Sequence, residues 1–491
     1  MWICVAEFVL KRAVKSLFIS FQEGENVIQL RREQPSLWHK GLMKDIEGLW
    51  EPWMKEADQL LEDAALIESV YEAQGQRHAQ SRRRGRLQTS AEVALRLLIL
   101  KHVRNWSYDT LEREVRANLV YRAFTRIGDE KVPDAKTLAR IGQVIGPEVI
   151  RELHERLVAL ARERGLVKGR KMRVDTTVVE TNIHYPTDSS LLGDGGRVLT
   201  RTMKKIEEKA GSLKRRIRDR MRTVKKSVLA IALAARQKGA QREEQQRERY
   251  AELLRVTQKI LNQTQGVLDE VDQLPDSRRP SVQPLAEHLQ TMAERLRQVV
   301  RQTKARIFDG FTHFPGKIVS LFEPHTEIIR KGKASKPTEF GKLVALQEAE
   351  NQVISDYQVF AERPSDSQLL VPAVCEHARR FGHVPRVVAA DGGFYSQQNE
   401  KTIQEMGVRW VSVPNRSTRS EERRKLQKQR WFRAGQRWRT GSEGRISVLK
   451  RRHGLNRCRY RGLSGMERWV GLGVIADNLI QIGRQMALQQ T

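Results

Sequence analysis

The sequence of 491 residues lacks several features that would assign it to a secreted or membrane-bound class. Its three cysteines, Cys4, Cys375 and Cys458, are odd in number and far apart, which excludes a disulfide framework and a paired-cysteine zinc site. The apolar opening stretch contains Glu7 and has its basic pair after the apolar run, unlike a signal peptide. No apolar run approaches the roughly 18 to 20 residues of a membrane-spanning helix. These absences predict a soluble protein of the reducing cytoplasm.

Acidic residues are also scarce relative to basic ones. The chain has 89 Lys and Arg against 59 Asp and Glu, a formal net charge of +30. Basic surfaces gain affinity for nucleic acids because they release the counterions condensed on phosphates. A length of about three average domains and a hydrophobic content of 39% still allow folded cores. The composition predicts a folded protein that binds DNA, with an acidic protein surface as the weaker alternative.

Apolar spacing predicts a helical region near the start of the chain. Residues 1–45 have no clear periodicity and form an N-terminal arm without predicted structure. Residues 46–165 contain short helices, two of which begin after possible caps at Ser90 and Ser107. This spacing fits a helix-turn-helix DNA-binding domain, and it also fits any small helical domain.

A second helical region interrupts the rest of the chain. Residues 201–307 show three apolar seams at helical spacing, with breaks at Gly239 and around 275–284. They predict a helical insertion of three antiparallel helices. Its charges fit a solvated exterior better than a DNA-contacting face.

The residues on either side of the insertion, 166–200 and 308–485, predict one domain with a mixed α/β sheet. Runs of β-branched and apolar residues alternate with helical stretches after residue 311. The predicted strands are 171–179, 317–322, 326–330, 343–348, 353–359, 386–390 and 408–414.

Three acids have positions that favour chemistry. Asp175 lies inside a predicted strand, where an unpaired carboxylate is costly to bury. Asp391 ends a predicted strand, at the edge where open α/β sheets bind ligands. Glu443 comes just before a predicted helical run, 444–452, in the most basic part of the chain. A turn, an Asp-Gly bend and a favourable helix start are the alternative explanations for these acids. Carboxylates in one place would bind Mg²⁺.

The segment 416–461 contains 17 Lys and Arg against 3 acids. Such a concentration of positive charge predicts a DNA-contacting surface beside the acids. Its candidate DNA-binding residues include Arg439, Lys450, Arg451, Arg452, Arg457, Arg459 and Arg461.

Three stretches of this sequence together resemble bacterial insertion-sequence DDE transposases, with the ISNCY-like group as the nearest pattern. They are the block from Asp175 to Asp188, the Asp391-Gly-Gly-Phe turn, and the Arg439-x3-Glu443-x6-Lys450 pattern. The tail around Asn478 adds to the resemblance. One position departs from it: Gln436 stands where a Tyr often precedes the Arg by three residues.

The resemblance implies an RNase H-like catalytic core, an N-terminal helical DNA-binding domain, and Asp175, Asp391 and Glu443 as metal-binding catalytic residues. It implies two Mg²⁺ ions, for which Mn²⁺ substitutes, and cleavage at element ends followed by strand transfer into target DNA. It also implies a homodimer in a synaptic complex with element ends and target DNA, associated with the bacterial nucleoid. The alternatives are an inactive transposase-derived DNA-binding protein and an RNase H-like nuclease without strand transfer.

Overall fold

The computed structural model describes residues 28–31, 46, 48–77, 82, 88–211, 213–214, 216–236, 241–330 and 337–490. The chain divides into two compact units, Met1–Glu180 with Lys342–Thr491, and Thr181–Gly341. Most of the predicted N-terminal arm and the predicted break at Gly239 lie outside the described residues. The division into domains at 46–165, 201–307 and the flanking core stays a prediction.

The first unit is helical before its sheet begins. Ser107 caps one of these helices, because its Oγ accepts a hydrogen bond from Thr110 N at 3.0 Å. Ser90 precedes another helix, but its side chain makes no capping hydrogen bond. The helices are α1 (Pro52–Leu61), α2 (Ala64–Gly75), α3 (Ala91–Val103), α4 (Tyr108–Ala117), α5 (Leu119–Phe124), α6 (Ala135–Val144) and α7 (Pro147–Glu163).

The strands form the mixed sheet that the sequence predicts. They are β1 (Lys171–Glu180), β2 (Glu327–Ile329), β3 (Glu339–Glu348), β4 (Ile354–Val359), β5 (Val387–Ala389) and β6 (Trp410–Ser412). β1 lies between β3 and β5, and β6 follows β5. β5 is parallel to β1 and to β6, whereas β4 and β2 are antiparallel to β3. The predicted mixed α/β class is therefore confirmed.

The later helices of the first unit are α12 (Leu370–Phe381), α13 (Gln397–Glu405), α14 (Glu421–Lys428), α15 (Arg430–Arg452) and α16 (Gly462–Gln490). α15 is much longer than the predicted run 444–452, so Glu443 lies inside a helix and not at its start. Gly435 and Gly441 lie where α15 packs closely on its neighbours, whereas a Cβ on Gly444 would meet no atom within 4 Å. None of the described helices has the combination of length and apolar content needed to cross a bilayer.

The second unit is built around four helices among its described residues, α8 (Asp188–Ala210), α9 (Met221–Ala234), α10 (Gln241–Asp272) and α11 (Arg279–Ile307). The predicted seam residues Leu289, Leu296 and Val299 are buried in its core. The first predicted helix is two helices, because Gly211 has a φ of 88° and ends α8.

The predicted strand 317–322 is not a strand. Its polar backbone groups bond to side chains of α11: Ile318 N donates to Gln302 Oε1, and Gln302 Nε2 donates to Ile318 O, both at 2.9 Å. Arg295 Nη1 donates to Leu321 O at 2.7 Å. These hydrogen bonds replace some of the backbone hydrogen bonds that a neighbouring strand would have supplied.

Helix α16 ties the first unit together at two polar side chains. Asn478 donates to and accepts from the backbone of Ile354 at the start of β4, each at 2.8 Å. Asp477 accepts two hydrogen bonds from the Arg445 guanidinium of α15, at 3.0 and 3.1 Å. His453 lies 3.6 Å from the same carboxylate. Asp477 and Asn478, in the tail that contributes to the resemblance, therefore join α16 to α15 and β4.

We expect the Asp477→Ala substitution to lower the free energy of unfolding by about 3–5 kcal/mol, because it leaves the Arg445 charge buried without its carboxylate. Urea denaturation measures the change. Arg484→Ala, an exposed position on the same helix, is the control and should change stability by at most about 0.5 kcal/mol. Equal effects of the two substitutions would show that the pair is not a main anchor of α15.

Candidate active site

The two predicted aspartates lie on neighbouring strands. Asp175 is part of β1, and Asp391 follows β5 after one residue. The strands are parallel with Arg173 opposite Ala389, and Asp175 and Asp391 each follow this last pair by two residues. The register of the sheet thus brings together carboxylates that are far apart in the chain, at the carboxyl end of β5.

Asp391 begins a tight turn that packs against a further acid. Its Oδ1 accepts a hydrogen bond from Gly392 N at 2.7 Å. A Cβ placed on Gly393 would lie 3.1 Å from Asp366 Oδ2, so glycine makes room for that carboxylate. Asp366 Oδ1 in turn accepts a hydrogen bond from Thr176 Oγ1 at 3.2 Å. Asp366 therefore lies between the turn of Asp391 and the residue that follows Asp175.

Helix α15 reaches the same edge with Gln436, Arg439 and Glu443, which recur at helical spacing along one face. Gln436 Nε2 donates to Ser412 O at 2.6 Å and lies 3.3 Å from Ala390 O, at the ends of β6 and β5. Gln436, which departs from the transposase pattern, therefore holds α15 against the strand that precedes Asp391.

Arg439 links the helix to the first aspartate. Its Nη2 lies 3.1 Å from Glu443 Oε1, and its Nη1 lies 4.0 Å from Asp175 Oδ2. Ser442 Oγ donates to Asp175 Oδ2 at 3.1 Å. The predicted phosphate-binding Arg439 is thus engaged with two of the three predicted acids.

The remaining aspartate pairs with an exposed cation. Arg416 Nη2 lies 3.3 Å from Asp391 Oδ1, and the Arg416 side chain is 78% exposed. Glu443 is also largely exposed, at 62% of its side chain. An ion pair between exposed groups contributes about 0–1 kcal/mol, so Asp391 can exchange its partner at low cost. The partner of Glu443, Arg439, is only 13% exposed.

A buried ion pair lies on the strand that carries Asp175. Deeper in the first unit, Arg173 forms a buried ion pair with Glu348, and burial raises the pKa of the Glu348 carboxyl although the guanidinium opposes this rise. Arg173 precedes Asp175 by two residues on the same strand. The sheet therefore carries the buried Arg173–Glu348 ion pair next to the position of Asp175.

The donor set at this edge suits a hard divalent cation. Among the described residues, no three His, Cys, Asp or Glu side chains are grouped closely enough to hold a metal ion. The groups that meet here are carboxylate and hydroxyl oxygens, which are the protein ligands that Mg²⁺ prefers. Their present cationic partners are arginines, and only the Arg416–Asp391 pair has both side chains exposed to solvent. The residues fit a metal by their chemistry, with a rearrangement of side chains.

The predicted DNA-binding cations fall into two groups. Arg451, Arg452 and Arg461 are exposed, and in the part of the chain that the structure describes they form no ion pair. Arg457 lies 3.6 Å from Glu180, and Arg459 Nη1 donates to the backbone carbonyl of Asn105 at 3.2 Å. The first group can contact phosphates without giving up an ion pair, although Arg451 Nε also donates to Ser447 O at 3.4 Å.

Lys450 is less accessible than its neighbours. It is half-buried near the end of α15 and interacts with other groups of the protein. Its role as a phosphate ligand stays a prediction.

The sequence did not identify Asp366, Ser442 or Arg416 as residues of this edge. Asp366 follows Ser365 in a capping box, a local signal for a helix start and not for a site. Ser442 could have been suspected because it precedes Glu443 in the matching pattern. Their proximity to the aspartates depends on strand order, which no local pattern records.

Comparison with known protein families agrees with this geometry. Residues 316–479 match the family described as Transposase DDE domain, and residues 53–143 match the family described as Transposase domain (DUF772). The two matches together cover slightly more than half of the chain. The chain belongs to the insertion-sequence DDE transposases. No curated protein and no solved structure matches the transposase.

The family assignment confirms the predicted RNase H-like core of the transposase, with a helical region before it. Asp391 and Glu443 lie inside the DDE match, whereas Asp175 lies between the two matches. Transposases of this family bind DNA and use divalent metal ions. The ISNCY-like group and the roles of the individual residues stay predictions.

The close contact between α15 and the sheet can be tested with two glycines of the same helix. A Cβ on Gly435 would lie 2.6 Å from Ser412 Cβ, whereas a Cβ on Gly444 would meet no atom within 4 Å. Replacing a helical glycine by alanine normally stabilises by about 1 kcal/mol. We expect Gly444→Ala to keep or raise stability and Gly435→Ala to lower it, because the second substitution pushes α15 away from β6.

Urea denaturation of the two transposase variants measures this difference. The far-UV circular dichroism spectrum should be the same for both, since both positions are helical. Equal stability of the two variants would mean that α15 can shift without cost, and that Gly435 does not set its distance from the sheet.

Proposed function

We propose that this transposase cleaves DNA at the ends of an insertion sequence and joins the liberated 3′-hydroxyl to target DNA. The observation that carries the proposal is the meeting of Asp175, Asp391 and the Arg439–Glu443 pair at one edge of the sheet. In the first step water attacks a phosphodiester and releases a 3′-hydroxyl; in the second, that hydroxyl attacks a target phosphodiester and displaces another 3′-oxygen.

Asp175, Asp391 and Glu443 are the residues that would hold two Mg²⁺ ions, for which Mn²⁺ substitutes. When bound, such a pair of ions activates the attacking oxygen and stabilises charge on the leaving oxygen of a phosphodiester. Ser442, within hydrogen-bonding distance of Asp175, orients that carboxylate. Gln436 holds the helix against the strand ends and so fixes the distance of Glu443 from the aspartates.

Arg439 and Arg416 have a second task in this proposal. Both cations neutralise the acids in the structure, and both lie where a DNA phosphate would approach the carboxylates. With divalent cations as the partners of the carboxylates, the guanidinium groups would be available to a phosphate, which arginine binds through paired hydrogen bonds.

The remaining assignments follow from the reaction. The helices in 46–165 would recognise the element ends, and the exposed cations of 416–461 would hold the DNA backbone. Two element ends must be cut and joined together, which favours a homodimer in the synaptic complex. The reaction takes place where its DNA substrates are, at the bacterial nucleoid.

Replacing each acid by its amide tests the catalytic assignment. We expect Asp175→Asn, Asp391→Asn and Glu443→Gln each to reduce Mg²⁺-dependent nicking and strand transfer by at least about a hundredfold, because the negative charge is removed while the shape is kept. DNA affinity should remain within a few-fold of the wild type, since the cations supply most of it. Gel analysis of labelled element-end DNA gives both the nicked and the joined products.

The control is Glu421→Gln, an exposed carboxylate of the same basic segment, which should nick normally. Normal nicking by one amide variant would remove that residue from the site. Normal nicking by all three would contradict the mechanism. A wild-type protein that binds ends without cleaving them would be a DNA-binding relic, and one that nicks but does not join pre-cleaved ends would be a nuclease.

The salt dependence of DNA binding tests the role of the exposed cations. We expect the Arg451→Gln/Arg452→Gln double variant to reduce the slope of log affinity against log salt by up to about 0.9 for each phosphate that the protein no longer neutralises. Fluorescence anisotropy at several salt concentrations measures the slope.

Arg379→Gln/Lys401→Gln is the matched control. It removes the same charge from exposed cations that are already paired with carboxylates, Arg379 with Glu376 at 2.7 Å and Lys401 with Glu405 at 3.8 Å. Its slope should stay close to that of the wild type. Equal slopes for the two double variants would show that only net charge matters and that Arg451 and Arg452 do not contact phosphates.

A further inference from the structure

The connection between α8 and α9, together with the start of α9, carries a concentrated positive charge in the second unit. Residues 214–226, the basic connection, contain eight Lys or Arg and one acid, Asp219. The start of α10 is different, because residues 242–252 contain three Arg and four Glu. Mixed charge of that kind is typical of a solvated helix exterior. A block of one sign repels itself and is stabilised by a partner of the opposite sign.

The backbone of the basic connection is held against α10. Lys214 N donates to Glu270 Oε2 at 2.8 Å, and Arg218 N donates to Gln263 Oε1 at 3.3 Å. Between these two hydrogen bonds, Ile217 packs against the buried core of the unit. The connection is therefore a supported part of the fold, although it is not helical before α9 begins.

The cations of the basic connection are exposed and have no acidic partners. Six of them are exposed, and in the part of the chain that the structure describes none of the six forms an ion pair. They are Lys214, Arg216, Arg218, Arg222, Lys225 and Lys226. Arg220 is half-buried instead, and its Nη1 donates to Gln263 Oε1 at 2.5 Å. Six positive charges are thus available to a partner outside the chain.

The single acid of the basic connection is already paired with a lysine from outside it. Asp219 Oδ2 lies 2.6 Å from Lys204 Nζ of α8. This lysine, together with a hydrogen bond from Met221 N, holds the pKa of the Asp219 carboxyl below its usual range. Asp219 therefore stays ionised with Lys204 as its partner, and it does not compensate the six exposed cations.

The composition of this surface fits a polyanion better than a folded protein. Protein interfaces have apolar and aromatic cores and are poor in lysine. Apart from the six cations, the described residues of the basic connection that are exposed are Asp219 and Thr223, so no aromatic or large aliphatic side chain is presented. A nucleic-acid backbone binds a surface of this kind because the cations release condensed counterions, whatever the base sequence.

We propose that the basic connection binds the phosphate backbone of duplex DNA independently of sequence, as a second DNA-contacting surface besides the cations of 416–461. The identity of the partner rests on the proposed function, because DNA is the polyanion on which a transposase acts. Contacts made by charge alone hold DNA of any sequence, such as a target of strand transfer. The expected solvated exterior of the insertion thus applies to the start of α10 but not to the basic connection.

The experiment measures how the full-length transposase binds a duplex unrelated to the element, without divalent metal, at several salt concentrations. We expect Arg216→Gln/Arg218→Gln to reduce the slope of log affinity against log salt by up to about 1.8, about 0.9 for each lost phosphate contact. Near physiological salt the affinity should fall at least about fivefold. Fluorescence anisotropy measures both. Because both side chains are exposed and unpaired with acids, the urea midpoint of unfolding should not change.

The same unit offers a control with equal loss of charge. Arg197→Gln/Arg249→Gln removes two exposed cations that do have carboxylate neighbours, Asp194 at 2.7 Å and Glu252 at 3.8 Å. We expect this variant to keep the slope of the wild type. If both double variants change the slope equally, net charge alone matters and the proposal is wrong. A loss of affinity confined to duplexes with element ends would also overturn it, because the contact would then depend on sequence.

A combined variant distinguishes this proposal from the assignment of 416–461. Adding Arg451→Gln/Arg452→Gln to Arg216→Gln/Arg218→Gln should lower the slope further, because the two surfaces neutralise different phosphates. An effect of the second pair alone would support the basic connection and remove the assignment of 416–461. An effect of the first pair alone would overturn the basic connection and leave that assignment in place. Since neither metal nor cleavage is involved, a catalytically inactive wild type can still pass this test.

Discussion

The close approach of α15 to the ends of the parallel strands is the contact on which the whole site depends. Gly435 allows the helix backbone to come near Ser412, and Gln436 then donates hydrogen bonds to the carbonyl groups at the ends of β5 and β6. A helix held at this distance has little freedom to rotate. The position of Glu443 two turns later follows from this contact, because residues seven apart lie on the same helical face.

The acids at this edge are balanced by arginines of two kinds. Arg173 and Arg445 are buried with their carboxylate partners, and breaking either pair would leave a charge in a dry environment. Arg416 pairs with Asp391 in an exposed position, where the pair contributes little to stability. The buried pairs therefore hold the framework, whereas the exposed pair can give way when a substrate or a cation arrives.

The sequence predicted the elements that carry the acids, but only part of their arrangement. The strands at Asp175 and Asp391 were predictable because apolar runs bounded by turn residues identify buried strands. The helix of Glu443 was predicted too short, and the contact that holds its earlier part on the sheet joins Gly435 to Ser412, residues too far apart in sequence for a local pattern to record. Asp366 lay beyond prediction for the same reason: only strand order brings it beside Thr176.

The predicted strand at 317–322 failed for a different physical reason. Its composition fits a strand, but the backbone of Ile318 finds its donor and acceptor in the side chain of Gln302, which a local reading of the sequence cannot reveal.

The tail around Asn478 belongs to the pattern shared with transposases, yet its residues make structural contacts and do not contact the three acids. Asn478 binds the backbone where β4 begins, and Asp477 binds Arg445 two residues after Glu443. α15 is thus fixed on both sides of residues 439–443. Gln436 binds the strand ends of the sheet, and Arg445 binds Asp477 of α16. Between these anchors lie Arg439 and Ser442, which contact Asp175, and Glu443, which pairs with Arg439. A helix anchored on both sides of these residues holds their backbone in place, which is the support that a site built from side chains of separate elements requires.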